Sequence, residues 1–329
     1  MPLLRKVIKV SATDSPNVLM ALAQMARGEQ PTNEILLPGV LTWEEYQERL
    51  KLWESDPERL SVGLLGEFYE GPETKLFPDG WLELAHKRHD LILSVSLNGR
   101  GSRRQCKGIG CDPAEGGDSS CWTGVDETGI LFQESRKTPD TNVIPSHSAL
   151  LIREHGIDPQ RFVFDRGGGG KQHADRMRAP VREGGYDLRV RSVAFGEAPH
   201  LEPKRGLHLL ADRKELIEDR YVYVNLRAQM YHEAALLLDP TFPLGERYSE
   251  GFAIPRSLTK LVEQLRAMPR LIDGEGRYWL PPKNKKDPKD SRKTLVEIIG
   301  HSPDEADSFV LAVHAMLRKS SVPTAGAVV

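Results

Sequence analysis

Between residues 106 and 194 the apolar positions change period in a regular order. Residues 106–112 are small and apolar and stop at Pro113, Ala114, Glu115, Gly116 and Gly117, which predicts a strand ending in a turn. Residues 121–125 and 129–134 read as a hairpin across Asp126, Glu127 and Thr128, with Gly129 supplying a positive φ. A helical period takes over at 143–155, where Leu150, Leu151 and His155 are spaced for one face and Gly156 ends the helix. Residues 161–164 form a short buried strand ending at Asp165, 171–183 a helix broken or frayed at Pro180, and 188–194 a closing strand. The predicted order is strand, strand, strand, helix, strand, helix, strand.

The flanks are less regular. Residues 5–10 read as a strand and 42–54 as a helix opened by a capping box between Thr42 and Glu45. A second helix is expected from 56 or 57 to about 65, a third over 81–89, and a strand over 91–97. One strand and two or three helices cannot close a core of their own. The basic loop at 98–104 therefore sets the expected boundary, with a leading region 1–98 and a main domain 99–329. Residues 195–300 read as an insertion holding helices over 223–238 and 256–268, a hairpin turning at 273–276 and a lysine-rich loop at 283–293. The last helix is expected over 302–319.

Composition narrows the class. In 329 residues, 39% hydrophobic and 28% charged content is ordinary for a soluble globular chain. No apolar run approaches the roughly 18 residues needed to span a bilayer, and no signal peptide is visible. Neither a membrane nor secretion is expected. Three cysteines, Cys106, Cys111 and Cys121, are an odd set without CxxC spacing, so reduced thiols of a cytoplasmic protein are expected rather than a zinc site. The formal net charge of -2 carries no global nucleic-acid signature, so a DNA-binding surface has to be local.

The strand order resembles that of an RNase H-like α/β fold: a mixed five-stranded sheet flanked by helices, here with a helix/hairpin insertion before the last helix. In that arrangement the first and fourth strands are central neighbours, which puts Asp112 and Asp165 at adjacent strand ends, where open α/β sheets bind ligands. The last helix supplies two more acids. Ser302 reads as its N-cap, Pro303 as its first residue and Glu305 as the partner in a capping box. Asp304 complements the helix dipole. Asp307 shares a face with Val310, Leu311 and His314, and a carboxylate buried there needs a metal ion or a buried basic residue to offset its cost. Asp112, Asp165 and Asp307 form the expected catalytic set, with Asp304 as a further metal ligand. Hard oxygen donors of this kind suit Mg²⁺ or Mn²⁺, and two ions about 4 Å apart are the arrangement for phosphodiester hydrolysis.

Four segments together resemble the nuclease domain of the large terminase subunit of tailed bacteriophages: GIGCDPAEGGDSS (108–120), FVFDRGGGG (162–170), VNLRAQMY (224–231) and IIGHSPDEADSF (298–309). Upstream, DSPNV (14–18), LPGVLTWEEYQERL (37–50) and LLGEFYE (64–70) resemble the end of that family's ATPase domain and its link to the nuclease. The resemblance implies a metal-dependent DNA endonuclease that cuts concatemeric viral DNA during genome packaging in the host cytoplasm. Its implied partners are double-stranded DNA, the portal protein, the small terminase subunit and an ATPase half. It assigns the first two acids to Asp112 and Asp165 and the third to the 302–307 stretch, Asp307 before Asp304, with Asp118 as an outer acid.

One departure is plain: no Walker A loop is present. The nearest look-alike, 165–172, lacks both the leading glycine and the Ser or Thr after Lys171. The chain is therefore read as a terminase fragment without its own ATPase. An actin-like nucleotide-binding protein would need a second such domain and phosphate loop. A non-catalytic packaging or scaffolding fragment is the main alternative.

Overall fold

The computed structural model describes residues 10–53, 60–67, 75–97, 104–114, 119–200, 222–240, 251–273, 277–284 and 293–318. The expected strand at 5–10, most of the lysine-rich loop and Asp118 lie outside the described residues. The chain divides into two compact units, Met1–Thr74 and Lys75–Val329.

In the first unit, helices α1 (Pro16–Ala26) and α2 (Trp43–Trp53) pack through Val18, Ala21 and Trp43. The expected capping box opens α2: the Thr42 amide donates to Glu45 Oε2 at 3.0 Å and the Glu45 amide to Thr42 Oγ1 at 3.2 Å. The buried Asn17 side chain accepts from the Leu36 and Leu37 amides and donates to the Leu37 carbonyl, tying the connecting segment to α1.

The second unit begins with α3 (Asp79–Leu97), which corrects the expectation of a strand over 91–97. Neither Gly nor Pro occurs between Trp81 and Leu97, so nothing stops the helix, and the apolar run at 91–93 continues it. Leu82 and Ala85 of α3 are buried in the second unit's core. For that reason the division falls at 74/75 rather than at the expected 98/99.

The remaining elements carry the sheet: β1 (Gly108–Asp112), β2 (Ser119–Asp126), β3 (Gly129–Lys137), α4 (Val143–His155), β4 (Phe162–Asp165), α5 (Gly170–Arg178) and β5 (Arg191–Val193). Their order along the chain is the predicted one. In space the order is β3-β2-β1-β4-β5, with β1–β2 and β2–β3 antiparallel and β1–β4 and β4–β5 parallel. This is a mixed five-stranded, RNase H-like sheet. Gly156 ends α4 in the left-handed conformation, and α5 stops at Arg178, ahead of Pro180.

The insertion supplies α6 (Leu226–Leu238), α7 (Thr259–Ala267), a short hairpin of β6 (Leu271–Ile272) and β7 (Tyr278–Trp279), and α8 (Leu295–Ile299). The last helix, α9, spans Asp304–Leu317. One core joins α3, α6, α7 and α9 to one face of the sheet through Val125, Val163 and Val193. The other face packs Ile109, Cys111, Trp122, Phe162 and Phe164 against α4 and α5. The expected Ser302–Glu305 box does not form. Pro303 is the N-cap of α9, Ser302 Oγ donates to Asp304 instead, and Glu305 accepts from Gln264 Nε2 at 2.6 Å. A buried amide from α7 thus outcompetes a local cap. Among the described residues no helix is long and apolar enough to cross a membrane.

Candidate metal centre

Side chains alternate faces along a strand, and that parity builds the site. In β1, Ile109 and Cys111 point to the α4/α5 face, which leaves Gly108, Gly110 and Asp112 facing α9. In β4, Phe162 and Phe164 take the α4/α5 face and Val163 the other, so Asp165 also faces α9. The parallel register pairs Cys111 with Phe164, one residue before each aspartate. Both carboxylates therefore stand at neighbouring ends of central strands on one face.

Helix α9 lies directly on that face because β1 offers it no side chain at Gly108 or Gly110. A Cβ on Gly108 would sit 2.5 Å from the Ala312 carbonyl oxygen, and one on Gly110 2.2 Å from that of Ser308. The helix is also pinned to β2, where Ser308 Oγ lies 2.7 Å from Thr123 Oγ1. Its first turn then carries Asp304 and Asp307 over the strand ends. Beside Asp165 the chain turns through Gly168 and Gly169, both at positive φ, and a Cβ on Gly168 would meet the Pro113 carbonyl oxygen at 2.2 Å. The glycine run thus lets the β4–α5 turn close against the residue that follows Asp112.

Three of the four aspartates surround a lysine. Lys283 Nζ lies 3.5 Å from Asp112 Oδ2, 3.3 Å from Asp304 Oδ1 and 3.4 Å from Asp307 Oδ2. Asp307 is buried, as is Arg227 on α6, whose Nη2 donates to Asp307 Oδ1 at 2.9 Å and to Oδ2 at 3.2 Å. Tyr231 OH, one turn further along α6, donates to Asp307 Oδ1 at 2.7 Å. The buried basic residue that an inward Asp307 requires is Arg227.

Electrostatics mark the cluster as short of positive charge. Asp112 is pushed well above the usual carboxylate range, first by burial and then by the charges of Asp307, Asp165 and Asp304, against the pull of Lys283. Burial and the Asp307 charge raise Asp165 to about 6, partly offset by the Gly167 amide. Burial works against the Lys283 ammonium, yet the carboxylates of Asp112, Asp307 and Asp304 hold its pKa above the ordinary lysine value. Among the described residues, four formal negative charges meet two positive ones, Lys283 and Arg227. A divalent cation would balance the remainder. Among the described residues no three His, Cys, Asp or Glu side chains are gathered tightly enough to enclose an ion as they stand; here Asp112, Asp304 and Asp307 face the Lys283 ammonium. The donor set, all carboxylate oxygen, fits Mg²⁺ or Mn²⁺.

No family model and no curated protein matches the chain. Solved structures do. The nuclease domain of the large terminase subunit gp2 of bacterial virus Sf6 aligns with a TM-score of 0.51 at 17% identity, over 75% of this chain and 100% of that domain. The K428A mutant of that domain, with manganese, aligns at 0.50 and 16% identity, over 73% and 99%. The fold is that of a phage terminase nuclease domain.

Within this terminase-nuclease fold, the structure brings together Asp112, Asp165, Asp304 and Asp307 and adds two residues to which the sequence reading gave no place in the site. In sequence Lys283 belongs to the lysine-rich loop at 283–293 and Tyr231 to the 224–231 motif. A buried carboxylate at Asp307 signalled a basic partner, but 80 residues separate it from Arg227, and no local period links them. The basic stretch near 100–107 contributes Arg104, which is engaged with Asp126 at 2.6 Å and 2.8 Å.

Proposed function

We propose that this chain is a metal-dependent endodeoxyribonuclease that cuts concatemeric viral DNA during genome packaging, in the host cytoplasm. One observation carries the reading. Four aspartates from two central strand ends and one helix start stand together, three of them on the Lys283 ammonium, with too little positive charge among the described residues to balance them.

Asp112, Asp165 and Asp307 would hold Mg²⁺ or Mn²⁺, two ions in the full reading, with Asp304 as a further ligand. Such an ion, when bound, supplies Lewis-acid polarisation of the phosphodiester and activation of water for attack on phosphorus. The protein's own groups do the rest. Arg227 and Tyr231 keep Asp307 aimed into the cluster. Lys283 balances the carboxylates and, with divalent charge in place, is available to a phosphate oxygen. Double-stranded DNA is the proposed substrate. The portal protein, the small terminase subunit and an ATPase half, separate or missing, are the proposed partners, and the leading region, whose compact unit ends at Thr74, is proposed to derive from the end of the ATPase domain and its linker.

The experiment is plasmid cleavage by purified protein with Mn²⁺, Mg²⁺ or EDTA, beside Asp112→Asn and Asp307→Asn. Nicking or linearisation that needs metal and disappears in both variants supports the nuclease. A folded protein that cuts under none of these conditions would return the chain to a non-catalytic packaging fragment.

A further inference from the structure

We infer that Arg227 and Tyr231 are positioning residues that make Asp307 a one-oxygen ligand, tying up Oδ1 and presenting Oδ2 alone to the cation. This rests on the metal reading above and adds to it a role for α6.

The two oxygens of Asp307 have different surroundings. Oδ1 receives both short bonds, 2.7 Å from Tyr231 OH and 2.9 Å from Arg227 Nη2. Oδ2 is 3.2 Å from the same Nη2 and 3.4 Å from Lys283 Nζ, the group that also touches Asp112 and Asp304. The side of Asp307 that faces the other aspartates is therefore Oδ2. Arg227 and Tyr231 are four residues apart and share one face of α6. Their side chains have little freedom. Tyr231 is fully buried, and the Arg227 guanidinium sits 5.1 Å from the Phe195 ring and 5.7 Å from the Tyr231 ring. The start of α6 is fixed as well: Asn225 caps it by accepting from the Ala228 amide, and the Leu226 and Arg227 amides donate to the Glu197 and Phe195 carbonyls. A carboxylate gripped in this way cannot turn to offer both oxygens to one ion. Groups that hold a metal ligand by its second atom commonly change metal affinity by about 10- to 100-fold when removed.

The test is a Mn²⁺ titration followed by the electron paramagnetic resonance signal of free Mn²⁺, on wild type, Tyr231→Phe, Arg227→Lys and Asp112→Asn, with melting temperatures for each. Tyr231→Phe keeps the ring and removes only the donor, so it is expected to fold and to bind Mn²⁺ about tenfold more weakly. The Mn²⁺ concentration for half-maximal plasmid cleavage should shift by the same factor. Arg227→Lys keeps the charge but replaces the planar guanidinium that reaches Asp307 through Nη2, and it should weaken binding as well. If both variants bind Mn²⁺ as wild type does and differ only in melting temperature, α6 merely supports the fold and the inference is wrong. If wild type itself binds no Mn²⁺, or Asp112→Asn changes nothing, the metal reading fails first and this inference with it.

Discussion

The carbonyl oxygen of Ser308 occupies the space that a β-carbon on Gly110 would need, at 2.2 Å. Backbone-to-backbone contact between β1 and α9 sets how far Asp307 stands above Asp112. Gly110→Ala has no flexible neighbour to displace, since the obstructing atoms are the Ser308 carbonyl, the Ala312 amide nitrogen and the Leu311 β-carbon. The expected outcome is a loss of about 3 kcal/mol of stability, together with weakened metal-dependent cleavage by whatever remains folded. Urea unfolding of the two proteins measures it; an unchanged midpoint would show that α9 lifts off without cost.

That same contact explains what was legible beforehand. The order of strands and helices from 106 to 194 follows from period changes and turn residues, and parity along GIGCD and FVFD puts both aspartates on one face. The two glycines of GIGCD looked like small strand residues; nothing local says that a helix 200 residues away rests on them. Lys283 was hidden for a related reason. It belongs to a run of lysines that reads as a solvated loop, and only the tertiary fold shows that Lys283 turns inward. The strand expected over 91–97 failed because an apolar run of that length has no distinctive period, and helix α3 simply continues through it.

Asp165 and Asp307 are expected to respond differently to the same substitution. Asp165 accepts from the Gly167 amide and is attracted by Lys283 and Arg227, but burial and the repulsion of Asp307 outweigh these. Asp165→Asn removes that repulsion, so its melting temperature should equal or exceed that of wild type while metal-dependent cleavage is lost. Asp307→Asn instead strips a charge from buried Arg227. Breaking such a pair from one side costs about 3 kcal/mol or more, so this variant should melt well below wild type. Calorimetry on both checks the contrast, and equal destabilisation would contradict it.

On the proposed metal reading, Lys283 and a divalent cation would compete for the same oxygens. Removing the ammonium with Lys283→Met leaves Asp112, Asp304 and Asp307 with, among the described residues, Arg227 to offset them. Metal-free protein should lose stability from the repulsion, and Mn²⁺ affinity should rise by roughly an order of magnitude, since close like charges and a nearby cation interact strongly when partly buried. The decisive observation is the thermal shift on adding Mn²⁺, which should be larger in the variant than in wild type. A smaller shift would mean that Lys283 helps to build the site rather than filling it.

Protons should compete with the metal in the same place. Asp165 titrates near 6, raised by burial and by the charge of Asp307, and Asp112 is shifted in the same direction. A carboxylate must lose its proton to bind a cation, so metal binding releases protons wherever these groups are still protonated. The sign follows: above pH 6 Asp165 is already ionised and adds no pH dependence, whereas below it each unit of acid should weaken Mn²⁺ binding by about tenfold for that one proton. Burial of Asp112 makes the fall steeper and starts it at higher pH. Calorimetric titrations at pH 5, 6 and 7.5, in buffers of different ionisation enthalpy, give both the affinity and the number of protons released. In Asp165→Asn the proton count should drop by one at pH 5. An affinity that stays level from pH 7.5 to 5 would show that neither aspartate has to lose a proton on binding, and the cation would then have to be held elsewhere.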